Sequence, residues 1–176
     1  SYAGEFPGIP PERLAGALRQ LGFWAVSETA LGAEQVSAHI AETLRRDPAP
    51  CLLISSACPA AVDLLRKYYP RLVPALTDLL SPVLAHARWL RRLYGEDIGV
   101  VFIGPCVAKK READDHPEWL DAVLTFQNLR DWLAETGWLD RLDALPPADL
   151  VPCRAGNGAL YPVEGGMIAG IRRDAS

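Results

Sequence analysis

The stretch that most constrains this chain is six residues long: Ile98-Gly99-Val100-Val101-Phe102-Ile103, uncharged and running into Gly104-Pro105. A continuous apolar run this short reads as a strand covered on both faces, since a half-solvated strand would alternate apolar with polar. Helical patterns stand on either side of it. Ser81-Pro82 opens one that reaches Gly95, and another spans Gln127 to about Thr136. Upstream, Pro10-Pro11-Glu12 starts a helix that Gly22 stops, with Leu14, Ala17, Leu18 and Leu21 at helical spacing. Phe23-Trp24-Ala25-Val26 reads as a short strand, and Gly32 to Arg46 as a helix ending before the Asp47-Pro48-Ala49-Pro50 breaker. Cys51 to Ser55 reads as a buried strand, Pro59 to Tyr69 as a helix, Ala122 to Thr125 as a further strand and Gly165 to Arg173 as a last helix. Strands alternating with helices of this length specify an α/β fold: a parallel sheet of about four strands flanked by helices on both faces, with right-handed crossovers.

Charge and composition exclude several partners. The net charge is −4 with no Lys/Arg block, so a nucleic-acid partner has no electrostatic footprint. No apolar run approaches the ~20 residues of a membrane span. No signal peptide is evident, although the sequence opens abruptly at Ser1. The four cysteines, Cys51, Cys58, Cys106 and Cys153, are too sparse for a disulfide scaffold and contain no CxxC pair. A reducing, cytoplasmic setting is the expectation.

Ligands of open parallel sheets collect beyond the carboxyl ends of the strands. Cys58 and Cys106 both fall there, each beside a proline at a strand-to-helix junction. A thiol at a helix N-terminus feels the positive end of the peptide dipoles, which favours the thiolate that attacks or binds metal. Lys109 and Lys110 add positive charge close to Cys106. The plainer reading is that cysteine is among the most commonly buried residues and packs as a small hydrophobe. A Cys–His catalytic pair is the enzymatic alternative. His39 and His86 lie inside expected helices, however, and His116 in the polar "ADDHPE" loop. No four-ligand zinc spacing exists. "GALYPVEGG" lacks the order of a phosphate-binding loop.

Two longer stretches carry a resemblance. "SSACPAAVDLLRKYYPRL" resembles the first signature of the iron-only (FeFe) hydrogenases, TSCCPxW with its following KYYP helix, and "FIGPCVAKKRE" resembles the second, MPCxxKxxE. "ALRQLGFWAVSETALGAE", "LLSP" and "GALYPVEGGMIAGIRR" fall in the same order, so the likeness covers essentially the whole chain. It implies a catalytic domain of two lobes, each around a four-stranded parallel sheet, holding an H-cluster between them: a 4Fe–4S cubane bridged to a di-iron centre. It further implies that residues 1–145 are the first lobe and residues 146–176 a linker and the start of the second.

By motif position, Cys58 and Cys106 would be cubane ligands, Lys109 the donor to a cyanide, Pro105 a residue lining the di-iron pocket, Glu112 the closing Glu of the motif and Ser81 the serine of a proton relay. Soft thiolates on rigid strand ends suit iron–sulfur chemistry. Four departures stand against efficient turnover. Ala57 occupies the place of the proton-passing cysteine, Gly104 that of the motif's Met, and His39 and Ile40 that of the relay carboxylate. The third cysteine signature is absent, and Cys153 lies too early to replace it.

Two explanations are open: a segment of a longer hydrogenase, or a relative binding a simpler cluster or none. Loss of the proton-passing thiol is a feature of sensory-type hydrogenases. The implied partners are the rest of the hydrogenase domain and ferredoxin-like or signalling domains, with no nucleic acid and no membrane. The cluster is expected in the parent and absent from this segment alone. The alternative is a non-enzymatic interaction or assembly module that keeps the fold without metal.

Overall fold

The computed structural model describes residues 2–46 and 52–175, with side chains through Arg172. The Asp47–Pro50 breaker and Cys51 lie outside the described residues. The elements run α1 (Tyr2–Glu5), α2 (Pro11–Gln20), α3 (Ala30–Arg46), α4 (Pro59–Tyr68), α5 (Pro82–Tyr94), β1 (Val101–Gly104), α6 (Ala108–Asp115), β2 (Ala122–Thr125), α7 (Phe126–Glu135) and α8 (Gly166–Ala175). Short 3-10 turns occupy Pro70–Ala75, Leu139–Ala144 and Asn157–Leu160.

Local chemistry explains most boundaries. Ser81 caps α5 by accepting from the Leu84 N–H, Pro82 sits in its first turn, and Gly95 ends it at φ +110°. Thr125 and Asn128 form a reciprocal capping box at the start of α7, each side chain taking the other's backbone N–H. β1 and β2 pair in parallel through Val101↔Ala122, Phe102↔Val123, Ile103↔Leu124 and Gly104↔Thr125, with α6 as the crossover. The Asp121 carboxylate accepts from the Val100 N–H at 2.6 Å and from Arg91 Nη2 at 2.6 Å, fastening the sheet to α5.

Two apolar cores flank this pair. One gathers Leu14, Leu18, Phe126, Leu129 and Leu133 from α2 and α7. The other gathers Val83, Leu84, Ala87, Leu120 and Val123 beneath α5. α3 crosses α5 closely at Gly32, where a Cβ would stand 2.1 Å from the Pro82 carbonyl oxygen, so only glycine permits that approach. By contrast, α4 contributes no buried residue.

The α/β class with a parallel sheet flanked by helices stands; the strand count does not. Among the described residues the sheet has two strands where about four were expected. Of the expected strand 51–55, Leu52 and Leu53 are exposed and only Ile54 forms a parallel bridge, to Leu76. Phe23–Val26 forms no ladder. A largely apolar cavity of about 700 Å³ lies between residues 23–30 and 98–105, lined by both. A strand exists only through its neighbour's N–H and C=O groups, and here the neighbour stands across a gap. β1 itself begins at Val101 because Val100 spends its N–H on Asp121.

The segment from Pro146 packs along α2, the 26–28 loop and α3, and α8 lies against α3. The Ala148 N–H donates to the Glu12 carbonyl at 2.9 Å, and the Val151 N–H to the Val26 carbonyl at 2.9 Å. Arg154 pairs with Glu12 and Glu28, and Glu34 Oε1 accepts from the Gly156 and Gly158 N–H groups at 2.6 and 3.1 Å. Glu34→Ala will strand those two donors. Tryptic cleavage after Arg154 is expected to accelerate several-fold, and an unchanged cleavage rate would show that the carboxylate does not hold this segment.

Candidate functional site

Cys58 is the N-cap residue of α4, extended at φ −107° and ψ 108°, with its thiol free and the residue exposed. The short loop before it is fixed by hydroxyl groups. The Ser56 N–H donates to Thr77 Oγ1 at 2.9 Å, Ser56 Oγ donates to the Leu79 carbonyl at 2.8 Å, and the Ala57 N–H donates to Ser55 Oγ at 3.3 Å. Thr77 and Leu79 lie on the segment that leads into Ser81, so the first cysteine loop and the start of α5 are one hydrogen-bonded unit.

Cys106 follows β1, is half-buried and free, and its carbonyl accepts from the Lys109 N–H at 3.2 Å as α6 begins. Pro105 beside it is exposed. Gly104 is buried, and a Cβ there would meet the Phe102 ring at 2.5 Å. A larger residue at 104 therefore requires Phe102 to move.

Between the two cysteine loops lies a buried polar group of three. Lys109 is 7% exposed, Glu112 8% and Ser81 3%. Lys109 Nζ donates to Glu112 Oε2 at 2.7 Å, and Ser81 Oγ donates to the same oxygen at 2.9 Å. Lys109 Nζ also approaches the Ala57 carbonyl at 3.4 Å, which joins the second signature to the residue beside Cys58. On the outside, Arg111 of α6 pairs with Asp63 of α4 at 2.7 Å. Lys109 and Ser81, named from sequence, are thus brought together through Glu112. The sequence reading named Glu112 only as a motif position. The i,i+3 spacing of Lys109 and Glu112 in "KKRE" was the available signal, and burial is what gives the pair its weight.

Other expected participants lie apart from this network. His39 is exposed and Ile40 is buried, so α3 presents no carboxylate at the relay position. His86 is buried, its Nε2 2.9 Å from Ser27 Oγ, and burial lowers its pKa to about 4. His116 stands 3.4 Å from Glu118 and stacks on Trp119. Among the described residues no histidine hydrogen-bonds to Cys58 or Cys106, which leaves a Cys–His nucleophile without its base. Cys153 is exposed, after a cis Val151–Pro152 bond.

The family model for the iron-only hydrogenase large subunit, C-terminal domain, matches residues 3–176. The chain belongs to this family. Iron hydrogenase 1 of Clostridium pasteurianum is 27% identical over 183 residues, which cover 90% of this chain and 31% of that protein. A HydA structure from work on stepwise FeFe-hydrogenase H-cluster assembly superposes with a TM-score of 0.73 at 30% identity, over 95% of this chain and 46% of that one. A variant of the FeFe-hydrogenase HydA1 from Chlamydomonas reinhardtii gives 0.73 at 29% identity with the same coverage. The chain therefore spans less than half of the hydrogenases it resembles.

The donor set of this hydrogenase-family domain suits part of an iron–sulfur site. It offers two free thiols at the starts of α4 and α6 and, beside them, a buried ammonium. Among the described residues no three His, Cys, Asp or Glu side chains gather as a metal-holding group, so a four-thiolate cluster would draw two ligands from outside these two loops. No helix among the described residues is long and apolar enough to cross a membrane.

Proposed function

We propose that this chain forms the part of an iron-only hydrogenase domain that cradles an iron–sulfur H-type cluster, with Cys58 and Cys106 as thiolate ligands. When bound, such a group supplies the redox chemistry of H₂ and protons. The chain's own residues hold and orient. Both thiols are free and sit at helix starts, Cys58 exposed and Cys106 half-buried, where soft sulfur ligands can reach iron. Lys109 places an ammonium donor in a nearly dry site between them, suited to the negative charge of a cluster and its diatomic ligands. Glu112 fixes that ammonium, and Ser81 supplies a hydroxyl hydrogen on the same carboxylate. Pro105 lines the approach.

The observation that carries this reading is the 3.4 Å approach of Lys109 Nζ to the Ala57 carbonyl. It sets the two cysteine loops side by side around one buried cation. Ala57 itself has no ionisable hydrogen, which favours slow H₂ or redox sensing within a longer cytoplasmic protein over rapid turnover. The remaining thiolates would come from the rest of the hydrogenase domain, and electrons or signals from ferredoxin-like or signalling domains. A non-enzymatic assembly module is the second reading, favoured by Ala57 and by Ile40 at the relay position.

Anaerobic reconstitution with iron and sulfide tests the ligand assignment. The full chain is expected to take up less than one cluster's worth of iron, with Cys58→Ser and Cys106→Ser each cutting that uptake several-fold and Cys153→Ser leaving it unchanged. Equal loading in all four proteins would overturn the assignment. Hydrogen evolution by this chain alone would overturn the partial-site reading.

A further inference from the structure

Helix α5 carries three arginines with different fates. Arg91 is buried and fully engaged: its Nε donates to the Trp119 carbonyl at 3.1 Å, its Nη2 pairs with Asp121, and its Nη1 reaches the Glu96 carbonyl. Arg88 and Arg92, one turn apart on the outer side, are exposed. Neither has a carboxylate at ion-pairing distance among the described residues. Together with Gln35 of α3, Leu80, Ala85 and Trp89 they border a recess of about 330 Å³. That volume is at the small end of the range for ligand pockets.

We infer that this recess is a binding site for a small organic anion, one carrying a carboxylate or phosphate on a flat apolar body. The geometry separates the two halves of such a ligand. Guanidinium groups present paired N–H donors that match carboxylate and phosphate oxygens, and two of them flank one mouth. Leu80, Ala85 and Trp89 supply the apolar part of the lining, Gln35 adds a neutral polar group, and the Trp89 indole stacks on His86 at 6.0 Å and 29°. Arg88 is likewise held, its guanidinium 5.6 Å from the Trp119 ring centroid, so little ordering remains to be done when an anion arrives.

The chain as a whole is acidic at −4, which makes two acid-free cations around one concave surface a local reversal of charge. A solvated basic residue complementing the C-terminal end of α5 accounts for Arg92, in the last turn, but not for Arg88 or the recess. The proposal uses none of the cysteine-site residues and stands whether or not a cluster is bound.

Phenyl phosphate titrated into the full chain by calorimetry tests it, with inorganic phosphate and phenol as the separated halves. Saturable binding of phenyl phosphate is expected, with each half weaker by about tenfold or more. Arg92→Gln, which removes no other contact, should weaken it by at least about tenfold, and Arg88→Gln comparably. Trp89→Leu should weaken phenyl phosphate while leaving inorganic phosphate unchanged. Absence of saturable binding, or equal affinity in Arg92→Gln with its circular dichroism intact, would overturn the site. Because Arg92→Gln leaves the Trp119 contact in place, unfolding of the Arg88 variant would not blunt the test.

Discussion

Glu112→Leu will destabilise the chain by about 3–5 kcal/mol, because it leaves the Lys109 ammonium buried without a counter-charge. The substitution removes the acceptor of both Lys109 Nζ and Ser81 Oγ in one step. The remaining contact of Nζ, at 3.4 Å to the Ala57 carbonyl, is too long to replace the 2.7 Å ion pair. The double variant Lys109→Met/Glu112→Leu should recover most of the loss, since an apolar pair of similar volume leaves no buried charge and only the Ser81 hydroxyl without its acceptor. Urea denaturation of the three proteins measures the difference. A single variant within about 0.5 kcal/mol of the parent would mean that water already reaches Lys109. The outcome also bears on function, since a lysine that swings free of Glu112 no longer points between the two cysteine loops.

Acid will weaken the fold through His86. Its pKa falls from 6.5 in the unfolded chain to about 4 in the fold, because burial disfavours the imidazolium. Between those values the unfolded chain takes up a proton that the folded chain refuses. Stability is therefore fully present above about pH 6.5 and is lost as pH falls toward 4, by up to about 3 kcal/mol. His86→Gln can keep a hydrogen bond to Ser27 and does not titrate. The urea midpoint of that variant should be flatter than the parent's between pH 7 and 4.5, with the gap isolating this one side chain from the carboxylates. Parallel curves would place the His86 ring in contact with solvent.

How much of this was legible in the sequence depends on how local each cause is. α5 could be bounded to a residue because Ser81, Pro82 and Gly95 act on their own backbone. β2 matched at Ala122–Thr125, while α7 begins one residue before the expected Gln127 because Thr125 caps it directly. Phe23–Val26 and residues 52–55 form no ladder for the opposite reason: apolar, β-prone residues become one only if a second segment arrives at the right distance. The cysteine loops were found because their spacing is written in the chain. The central place of Glu112 was not, since it depends on Ser81, from a separate segment, meeting the Lys109 ammonium on one carboxylate oxygen. Arg91 and Asp121 are a second such case, a buried cation and a loop acid thirty residues apart that meet only in the fold.

The lack of any buried residue in α4 has a mechanical consequence. Ten residues of isolated helix are marginal in water, and the outer Asp63–Arg111 pair is worth little by itself. Amide exchange should accordingly be fast along α4 and slow along α5 and α7, whose faces sit in the cores. Cys58 opens the soft element, while Cys106 leads into α6, which is anchored by the buried Lys109, Glu112 and Ala113. Anything clasped between the two loops is gripped by one yielding jaw and one fixed jaw, and the yielding one sets how readily the grip opens.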